Sequence, residues 1–275
     1  MNSTVTRTIS GVVFLLIVVG SLLLNKFLFG ALFLFILVCM MYEFYHITMG
    51  DKYPGAKVIA IVAGATFFTL VFLKCCYDIP FRFLSLTILP LGVLTCYALF
   101  LKDKSDFGLY SHLGTGLIYI AAPLCIANFL VFKGGEYSGL LLLSFFIIVW
   151  CSDVGAYVFG MAFGQKYGKK LAPGISPKKS WIGAWGGLFM ALVGSVVLYF
   201  TGLFPFPIYH CLLLAAVMNV AGVFGDLFES QWKRFYEIKD SGNIIPGHGG
   251  MLDRFDSSLL AIPAGVLYLV LFNLI

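Results

Sequence analysis

Hydrophobic residues fall in nine long, nearly unbroken runs that are separated by polar segments. A helix of about 20 apolar residues matches the hydrocarbon thickness of a bilayer. The runs do not alternate apolar and polar positions as the strands of a membrane β-barrel do. The pattern therefore predicts an all-α polytopic integral membrane protein with about nine transmembrane helices. The predicted spans lie near residues 9–24, 27–45, 57–73, 81–101, 113–132, 139–160, 181–202, 207–229 and 257–275.

The first run follows Arg7 and could be mistaken for a signal peptide. No small-residue cleavage pattern follows it, and a second apolar run begins at once. We therefore predict an uncleaved first helix.

Composition excludes the soluble classes of protein. Hydrophobic residues make up 60% of the 275 residues and charged residues 11%, whereas a soluble domain carries about 25% charged residues. So few charges cannot cover the surface of so apolar a chain. This excludes a soluble globular protein, a disordered chain and a nucleic-acid-binding protein, and leaves the lipid bilayer as the expected surrounding.

Basic residues are distributed unequally between the two sides that nine spans define. The N-terminus and the loops 46–56, 102–112, 161–180 and 230–256 share one side, which holds 14 of the 18 lysines and arginines when Lys57 is counted with its loop. By the positive-inside rule this side is cytoplasmic. The N-terminus is then expected inside and the C-terminus outside.

No internal repeat divides the chain, so we predict a single membrane domain over residues 1–275. Residues 1–138, with spans one to five, contain little beyond apolar residues and short loops and are interpreted as a helical scaffold half. Residues 139–275, with spans six to nine and the cytoplasmic loops 161–180 and 230–256, are interpreted as the catalytic half.

Two acids lie inside predicted spans, Asp153 in span six and Asp226 in span eight. A carboxylate in hydrocarbon costs about 2.5–3.5 kcal/mol on the insertion scale, so such a residue is a functional candidate by default. The alternative is a polar contact between helices. The remaining acids of the first half are interpreted as loop or boundary residues, most of them solvated: Glu43, Asp51, Asp78, Asp103, Asp106 and Glu136.

The segment 230–256 combines three elements of phosphate chemistry. Its cations, Lys233, Arg234, Lys239 and Arg254, can bind phosphate oxygens. The glycine-rich turn 246–250 could present backbone N–H groups to an anion. Its acids, Asp240, Asp253 and Asp256, supply hard oxygen ligands suited to Mg²⁺. Cations and acids together in one short segment indicate a site for a metal and a nucleotide.

The loop 161–180 adds five lysines, of which Lys166, Lys169 and Lys170 fit a plain cytoplasmic anchor. The run from Ser176 to Ser180 differs, because a proline precedes two lysines at the start of span seven. Either Ser180 or Lys179 could cap that helix, whose positive N-terminal end would favour an anionic ligand.

The run S-Q-W-K-R-F-Y-E-I-K-D-S-G-N-I-I-P-G-H-G-G-M-L-D-R-F-D at 230–256 resembles the signature of the CTP:phosphatidate cytidylyltransferases (CDP-diacylglycerol synthases). Its spacing follows S-x-x-K-R, four residues, K-D, then P-x-H-G-G-x-x-D-R-x-D. The contexts of Asp153 and Asp226 and the S-P-K-K-S-W-I-G run also resemble the family. The similarity is strong over about 150–260. Two positions depart from the family pattern, Trp232 in place of an aliphatic residue and Ile182 in place of an acid.

The resemblance implies that phosphatidate and CTP react to CDP-diacylglycerol and pyrophosphate with Mg²⁺. It leaves a second cation open, for instance a monovalent one. It places metal on Asp226 and Asp253, with Asp153 as a third candidate, and catalysis on these two acids with Lys233 and Arg234. It assigns substrate and phosphate binding to Ser176, Lys178, Lys179, Lys239, Asp240, His248, Gly249, Gly250, Arg254 and Asp256. It also implies a homodimer in a bacterial inner membrane, with the active site on the cytoplasmic side.

Two other functions are weighed against this reaction. A transferase acting on another lipid phosphate, such as a polyprenyl phosphate, would use the same site chemistry. A cation-coupled transporter would also place acids in its spans, but it predicts polar residues near the bilayer midplane and paired repeats. Here the polar residues crowd one side, which favours the transferase.

Overall fold

The structure is a computed structural model that describes residues 3–101, 103, 106–165, 168–247 and 249–275. These residues are mainly helical, as the hydrophobic pattern predicts, with two short antiparallel β-hairpins. They divide into two compact units. Unit 1 comprises Met1–Ser138 and Asp240–Arg254, and unit 2 comprises Gly139–Lys239 and Phe255–Ile275.

Unit 1 is built from helices around an aromatic and methionine-rich core, with one hairpin. Its elements are α1 (Ser3–Leu24), α2 (Lys26–Met49), α3 (Pro54–Tyr77), α4 (Ile88–Tyr97) between 3₁₀ segments Phe81–Thr87 and Ala98–Phe100, α5 (Phe107–Tyr110), α6 (His112–Gly116), a π segment (Leu117–Ala121), α7 (Ala122–Ile126), α8 (Asn128–Val131), β1 (Phe132–Lys133) and β2 (Glu136–Tyr137). Phe29, Phe33 and Met40 of α2 are completely buried. The segment 240–254 packs in this unit although it follows the helices by more than 100 residues.

Unit 2 contains the other long helices and the second hairpin. Its elements are α9 (Leu140–Phe159), continued by a π segment (Gly160–Gly164), β3 (Lys170–Ala172), β4 (Ser176–Ser180), α10 (Trp181–Phe200), α11 (Ile208–Phe235) and α13 (Ser258–Leu271). The single turn α12 (Leu252–Phe255) crosses the unit boundary.

Small residues let the helices of unit 2 approach closely. A Cβ on Gly155 of α9 would lie 2.6 Å from the backbone oxygen of Gly186 in α10, so the two backbones meet where only glycine fits. Beside them, Asn219 Nδ2 of α11 donates a 2.6 Å hydrogen bond to Ser152 Oγ of α9. The polar pair fixes α11 against α9 one or two turns from Asp226.

Eight helical segments among the described residues are long and apolar enough, by length and composition, to cross a membrane: Lys26–Met49, Pro54–Tyr77, Phe81–Phe100, Phe107–Val131, Leu140–Gly164, Trp181–Phe200, Ile208–Phe235 and Leu252–Leu271. The chain is therefore a membrane-integral helical protein. The predicted first span corresponds to the shorter apolar helix Thr8–Leu24. The count of nine and the orientation stay predictions.

Several predicted boundaries differ from the structure. The helix of span eight extends to Phe235 and not to 229. An i,i+4 ion pair between Glu229 and Lys233 continues the helix where apolar residues end. The predicted loop 161–180 contains the β3–β4 hairpin, and α12 forms a helical turn inside the predicted loop 230–256.

Candidate active site

Three carboxylates of unit 2 lie close enough to interact electrostatically: Asp153 on α9, Asp226 on α11 and Asp256 between α12 and α13. We call these residues the acid cluster. Asp153 is exposed and the other two are half-buried, so the cluster is open to a ligand. Three like charges at one place are unfavourable without a cation.

One serine and one glycine hold the acid cluster together. Ser257 Oγ donates to Asp153 Oδ1 at 3.4 Å, and Ser257 N donates to Asp256 Oδ1 at 2.6 Å. A Cβ on Gly225 would lie 2.5 Å from the carbonyl oxygen of Asp256. A glycine before Asp226 therefore lets α11 touch the chain at Asp256.

Two lysines supply positive charge beside these acids. Lys179 on β4 forms an ion pair with Asp226, and Lys233 pairs with Glu229 at 3.2 Å. Glu229 is only 1% exposed, so its pairing with Lys233 offsets a buried charge. Beyond the ion pair with Asp226, the buried Lys179 ammonium makes no hydrogen bond to another side chain or backbone group in the described part of the chain.

The β3–β4 hairpin positions Lys179 by strand alternation. Adjacent residues of a strand point to opposite faces, and Lys178 is exposed whereas Lys179 faces Asp226. Ser180 ends the strand and caps α10, because its Oγ accepts the Gly183 N–H at 3.1 Å. Of the two capping residues considered, Ser180 is thus confirmed.

Arg234 joins the end of α11 to the hairpin. Its Nε donates to the Ile175 carbonyl at 3.4 Å, and its Nη1 donates to the Ile238 carbonyl at 3.3 Å. Ser176, two residues before Lys178, begins β4. The predicted phosphate contacts Ser176, Lys178, Lys179, Lys233 and Arg234 therefore all belong to unit 2.

Asp253 lies in unit 1 with the glycine-rich turn. Its Oδ2 accepts hydrogen bonds from Ser241 N at 2.8 Å, Ser241 Oγ at 3.0 Å and Gly250 N at 2.7 Å. Gly249 has φ +89°, and a Cβ there would lie 2.6 Å from Asp253 Oδ2. Gly249 and Gly250 thus lie directly against this carboxylate.

Comparison with known proteins shows the family of the chain. A model of the cytidylyltransferase family matches residues 5–272. The chain belongs to the cytidylyltransferase family. It is 33% identical to a phosphatidate cytidylyltransferase of Bacillus subtilis over 182 residues. This matched segment covers 66% of each of the two chains. A relative of the same name in Staphylococcus haemolyticus is 31% identical over 172 residues, which cover 62% of this chain and 63% of the relative. Another in Staphylococcus aureus is 35% identical over 137 residues, which cover 50% of this chain and 52% of the relative. The chain thus spans somewhat less than two thirds of the length of these relatives.

The cytidylyltransferase signature is divided between the two units. Asp226, Lys233, Arg234, Lys239 and Asp256 belong to unit 2. Asp240, Gly249, Gly250, Asp253 and Arg254 belong to unit 1. Each group lies within one compact unit. The assignment of a metal to Asp226 and Asp253 stays a prediction. His248 lies outside the described residues.

One interpretation from the sequence is wrong. Glu43 is not a solvated boundary residue, because it lies within α2 and is only 4% exposed. Its carboxylate accepts hydrogen bonds from the segment that follows Asp240. The sequence held a signal for it, since Glu43 falls inside the predicted span 27–45. Ser257, which contacts two members of the acid cluster, gave no comparable signal.

Proposed function

We propose that this cytidylyltransferase converts phosphatidate and CTP to CDP-diacylglycerol and pyrophosphate in phospholipid biosynthesis. The observation that carries the proposal is the acid cluster, with Lys179 and Lys233 beside it, among helices that are otherwise apolar. The relatives are named for phosphatidate, which supports the choice of lipid.

The proposed reaction is mainly an electrostatic problem. A phosphate monoester has a second pKa of about 6, so phosphatidate is already ionised near neutral pH and needs no general base. One of its oxygens attacks the α-phosphorus of CTP, and the bond to the leaving pyrophosphate breaks. Lys179 and Lys233 would stabilise the negative charge of the phosphates as it shifts toward the leaving group.

The acid cluster fits Mg²⁺ by its donor chemistry, because carboxylate oxygens are the ligands that this ion prefers. As the side chains stand, no three His, Cys, Asp or Glu residues in the described ranges form a group that could hold a metal. Asp226 is paired with Lys179 instead. We propose Asp226 as the principal ligand, with Asp153 and Asp256 beside it and Asp253 as a further ligand. Bound Mg²⁺ would neutralise phosphate oxygens.

The other signature residues are proposed to bind the nucleotide and its phosphates. Lys178, Arg234 and Arg254 carry exposed or partly exposed guanidinium or ammonium groups suited to phosphate oxygens. The remaining residues of the proposed nucleotide pocket are Ser176, Lys239, Asp240, His248, Gly249 and Gly250.

We further propose nine spans, a cytoplasmic N-terminus and an active site on the cytoplasmic side of a bacterial inner membrane. The distribution of 14 of 18 basic residues supports this orientation, and the relatives are bacterial. Labelling of single cysteines at Lys133 and Lys178 with an impermeant thiol reagent, in a chain without its native cysteines, tests it. Labelling of both from the same side would refute it. The homodimer stays a prediction that crosslinking in native membranes can test.

The deciding experiment measures pyrophosphate release by the purified protein with CTP, phosphatidate and Mg²⁺. Each component is omitted in turn, and a monovalent cation is added and withdrawn. We expect release only with all three and CDP-diacylglycerol as the product. Release with a polyprenyl phosphate but not with phosphatidate would change the substrate and keep the chemistry. No CTP-dependent release with any lipid phosphate, from folded protein, would refute the proposal.

A further inference from the structure

Glu43 of α2 makes an unusual set of contacts within unit 1. Its Oε1 accepts the Met251 N–H at 2.9 Å, and its Oε2 accepts the Leu252 N–H at 2.9 Å. Ser241 Oγ lies 3.2 Å from the same Oε2. A buried carboxylate is unfavourable unless it is hydrogen-bonded. Here two backbone N–H groups of one distant segment donate to it, and it shares the Ser241 hydroxyl with Asp253.

Two glycines show how closely this segment surrounds the carboxylate. A Cβ on Gly242 would lie 2.5 Å from Glu43 Oε1, and a Cβ on Gly250 would lie 2.6 Å from Oε2. These residues stand at the beginning and the end of the loop 241–252, which carries the P-x-H-G-G turn. Glu43 therefore binds both ends of this loop, and we call the arrangement the Glu43 clasp.

The clasp is joined to Asp253 through Ser241. The Ser241 hydroxyl lies between the Glu43 and Asp253 carboxylates, at 3.2 and 3.0 Å. Helix α1 adds a contact at the middle of the loop, where Ser10 Oγ donates to the Pro246 carbonyl at 2.8 Å. Residues of helices α1 and α2 thus contact the loop on both sides of Gly249 and Gly250 in the sequence, at Pro246 and at Met251 and Leu252.

We propose that Glu43 is a positioning residue, which sets the shape of the 241–252 loop for binding the nucleotide. This inference rests on the proposed function, because that function gives Gly249 and Gly250 their place in the CTP pocket. Glu43 touches no substrate itself. Helix α2, interpreted from the sequence as part of the scaffold, then determines the affinity for CTP.

The test compares Glu43→Gln with Glu136→Gln, a matched change at an exposed glutamate of the same unit. The amide retains the size of the side chain but puts an NH₂ group against one of the two N–H donors. Misplacement by about 1 Å can reduce activity on the order of 100-fold, so we expect the Kd and KM for CTP to rise at least about tenfold. The KM for phosphatidate should change by less than about twofold, which is on the order of the measurement error. Glu136→Gln should change neither the Kd nor the KM for CTP.

A second pair of variants keeps the result decisive if Glu43→Gln does not fold. Gly242→Ala leaves Glu43 in place but forces its carboxylate away from the loop, whereas Gly108→Ala meets nothing within 4 Å and serves as control. We expect Gly242→Ala to weaken CTP binding selectively and Gly108→Ala to leave it unchanged. A merely structural role would lower the unfolding temperature and leave the ratio of the two KM values constant.

Equilibrium binding of CTP separates this inference from the proposed function. If the wild type binds CTP but does not turn over phosphatidate, the proposed reaction fails while the Kd ratio still decides the role of Glu43. If Glu43→Gln or Gly242→Ala binds CTP as the wild type does, the positioning role is refuted. If the wild type binds no CTP, both fall together.

Discussion

Two groups of acidic side chains lie among apolar helices, and the fold stabilises them in opposite ways. In the Glu43 clasp of unit 1, a single buried carboxylate accepts hydrogen bonds from two backbone N–H groups and shares the Ser241 hydroxyl with Asp253. In the acid cluster of unit 2, three carboxylates lie close enough to repel one another, and Lys179 supplies one cation. The clasp is closed by glycines, whereas the cluster stays open to a ligand.

The difference separates an acid that positions a loop from acids that can bind a ligand. A buried carboxylate whose hydrogen bonds are complete has little to gain from a further cation or phosphate. Carboxylates that repel one another gain from each cation that arrives. Carboxylates of both kinds are rare inside membrane helices. Their position in a span therefore does not distinguish the two kinds, whereas the groups that contact each carboxylate do.

Neutralising one acid of the open cluster is expected to have the largest effect. Asp226→Asn should lower turnover by at least about 100-fold, because it removes charge where the phosphates and Mg²⁺ are proposed to meet. Asp78→Asn, at an exposed aspartate that forms an ion pair with Lys74 at the end of α3, should leave turnover unchanged. Steady-state pyrophosphate release measures both. Full turnover by Asp226→Asn would remove the distinction between the two groups.

Removing the Lys179 cation beside the acid cluster should have the next largest effect, which is a lower turnover together with a lower Mg²⁺ requirement. Lys179→Gln should reduce turnover about tenfold to 100-fold, since a cation beside the phosphates is lost. It should also lower the Mg²⁺ concentration for half-maximal rate, because the ammonium no longer competes for Asp226. Lys170→Gln, which removes an ammonium that donates to Gln165 Oε1 at 2.9 Å, is the control. An unchanged Mg²⁺ requirement in Lys179→Gln would contradict this competition.

A pair of glycine variants on α11 tests whether the cluster depends on close backbone contact. Gly225→Ala places a Cβ 2.5 Å from the Asp256 carbonyl, and we expect a loss of about 1–3 kcal/mol in unfolding free energy from overpacking. Turnover should fall with it. Gly222→Ala meets Ser257 Cβ at an ordinary 3.6 Å, and it should be neutral or stabilising by up to about 1 kcal/mol. Thermal unfolding in detergent and turnover are measured for both; equal effects would refute the close contact.

Much of unit 2 could be predicted from the sequence, because its signals are local. Hydrophobic runs located the helices, and the acid within an apolar run singled out Asp226. The serine at the start of span seven predicted one of two caps, and Ser180 is the cap found. The hairpin was not predicted, since β3 has only three residues and its alternation is too short to detect.

The clasp was beyond sequence reasoning for a physical reason. Its donors are backbone N–H groups of Met251 and Leu252, which every residue except proline possesses, and they lie more than 200 residues from Glu43. No pattern of side chains in the sequence predicts a contact of this kind. Of the two glycines that permit it, Gly250 belongs to the predicted glycine-rich turn 246–250, and Gly242 holds no fixed position in the motifs identified in the sequence.

The smallest effect is expected at an acid that belongs to neither group. Asp106 accepts hydrogen bonds from Lys52 Nζ at 2.9 Å and Tyr53 Oη at 2.7 Å, and these bonds lower the pKa of its carboxyl below 3.8. The same bond raises the pKa of Tyr53 to about 12.

A lowered carboxyl pKa stabilises the folded state above the ordinary aspartate pKa, and that stability is lost as the pH falls through the lowered value. Asp106→Asn should therefore lower the unfolding temperature slightly at pH 7 without changing turnover, since Asp106 is remote in the chain from both groups. The difference from the wild type should shrink as the pH falls below 3.8. Unfolding scans over a series of pH values measure it. A difference that persists in acid would mean that Asp106 acts through packing and not through its charge, and a loss of turnover would place a third functional acid outside the two groups compared here.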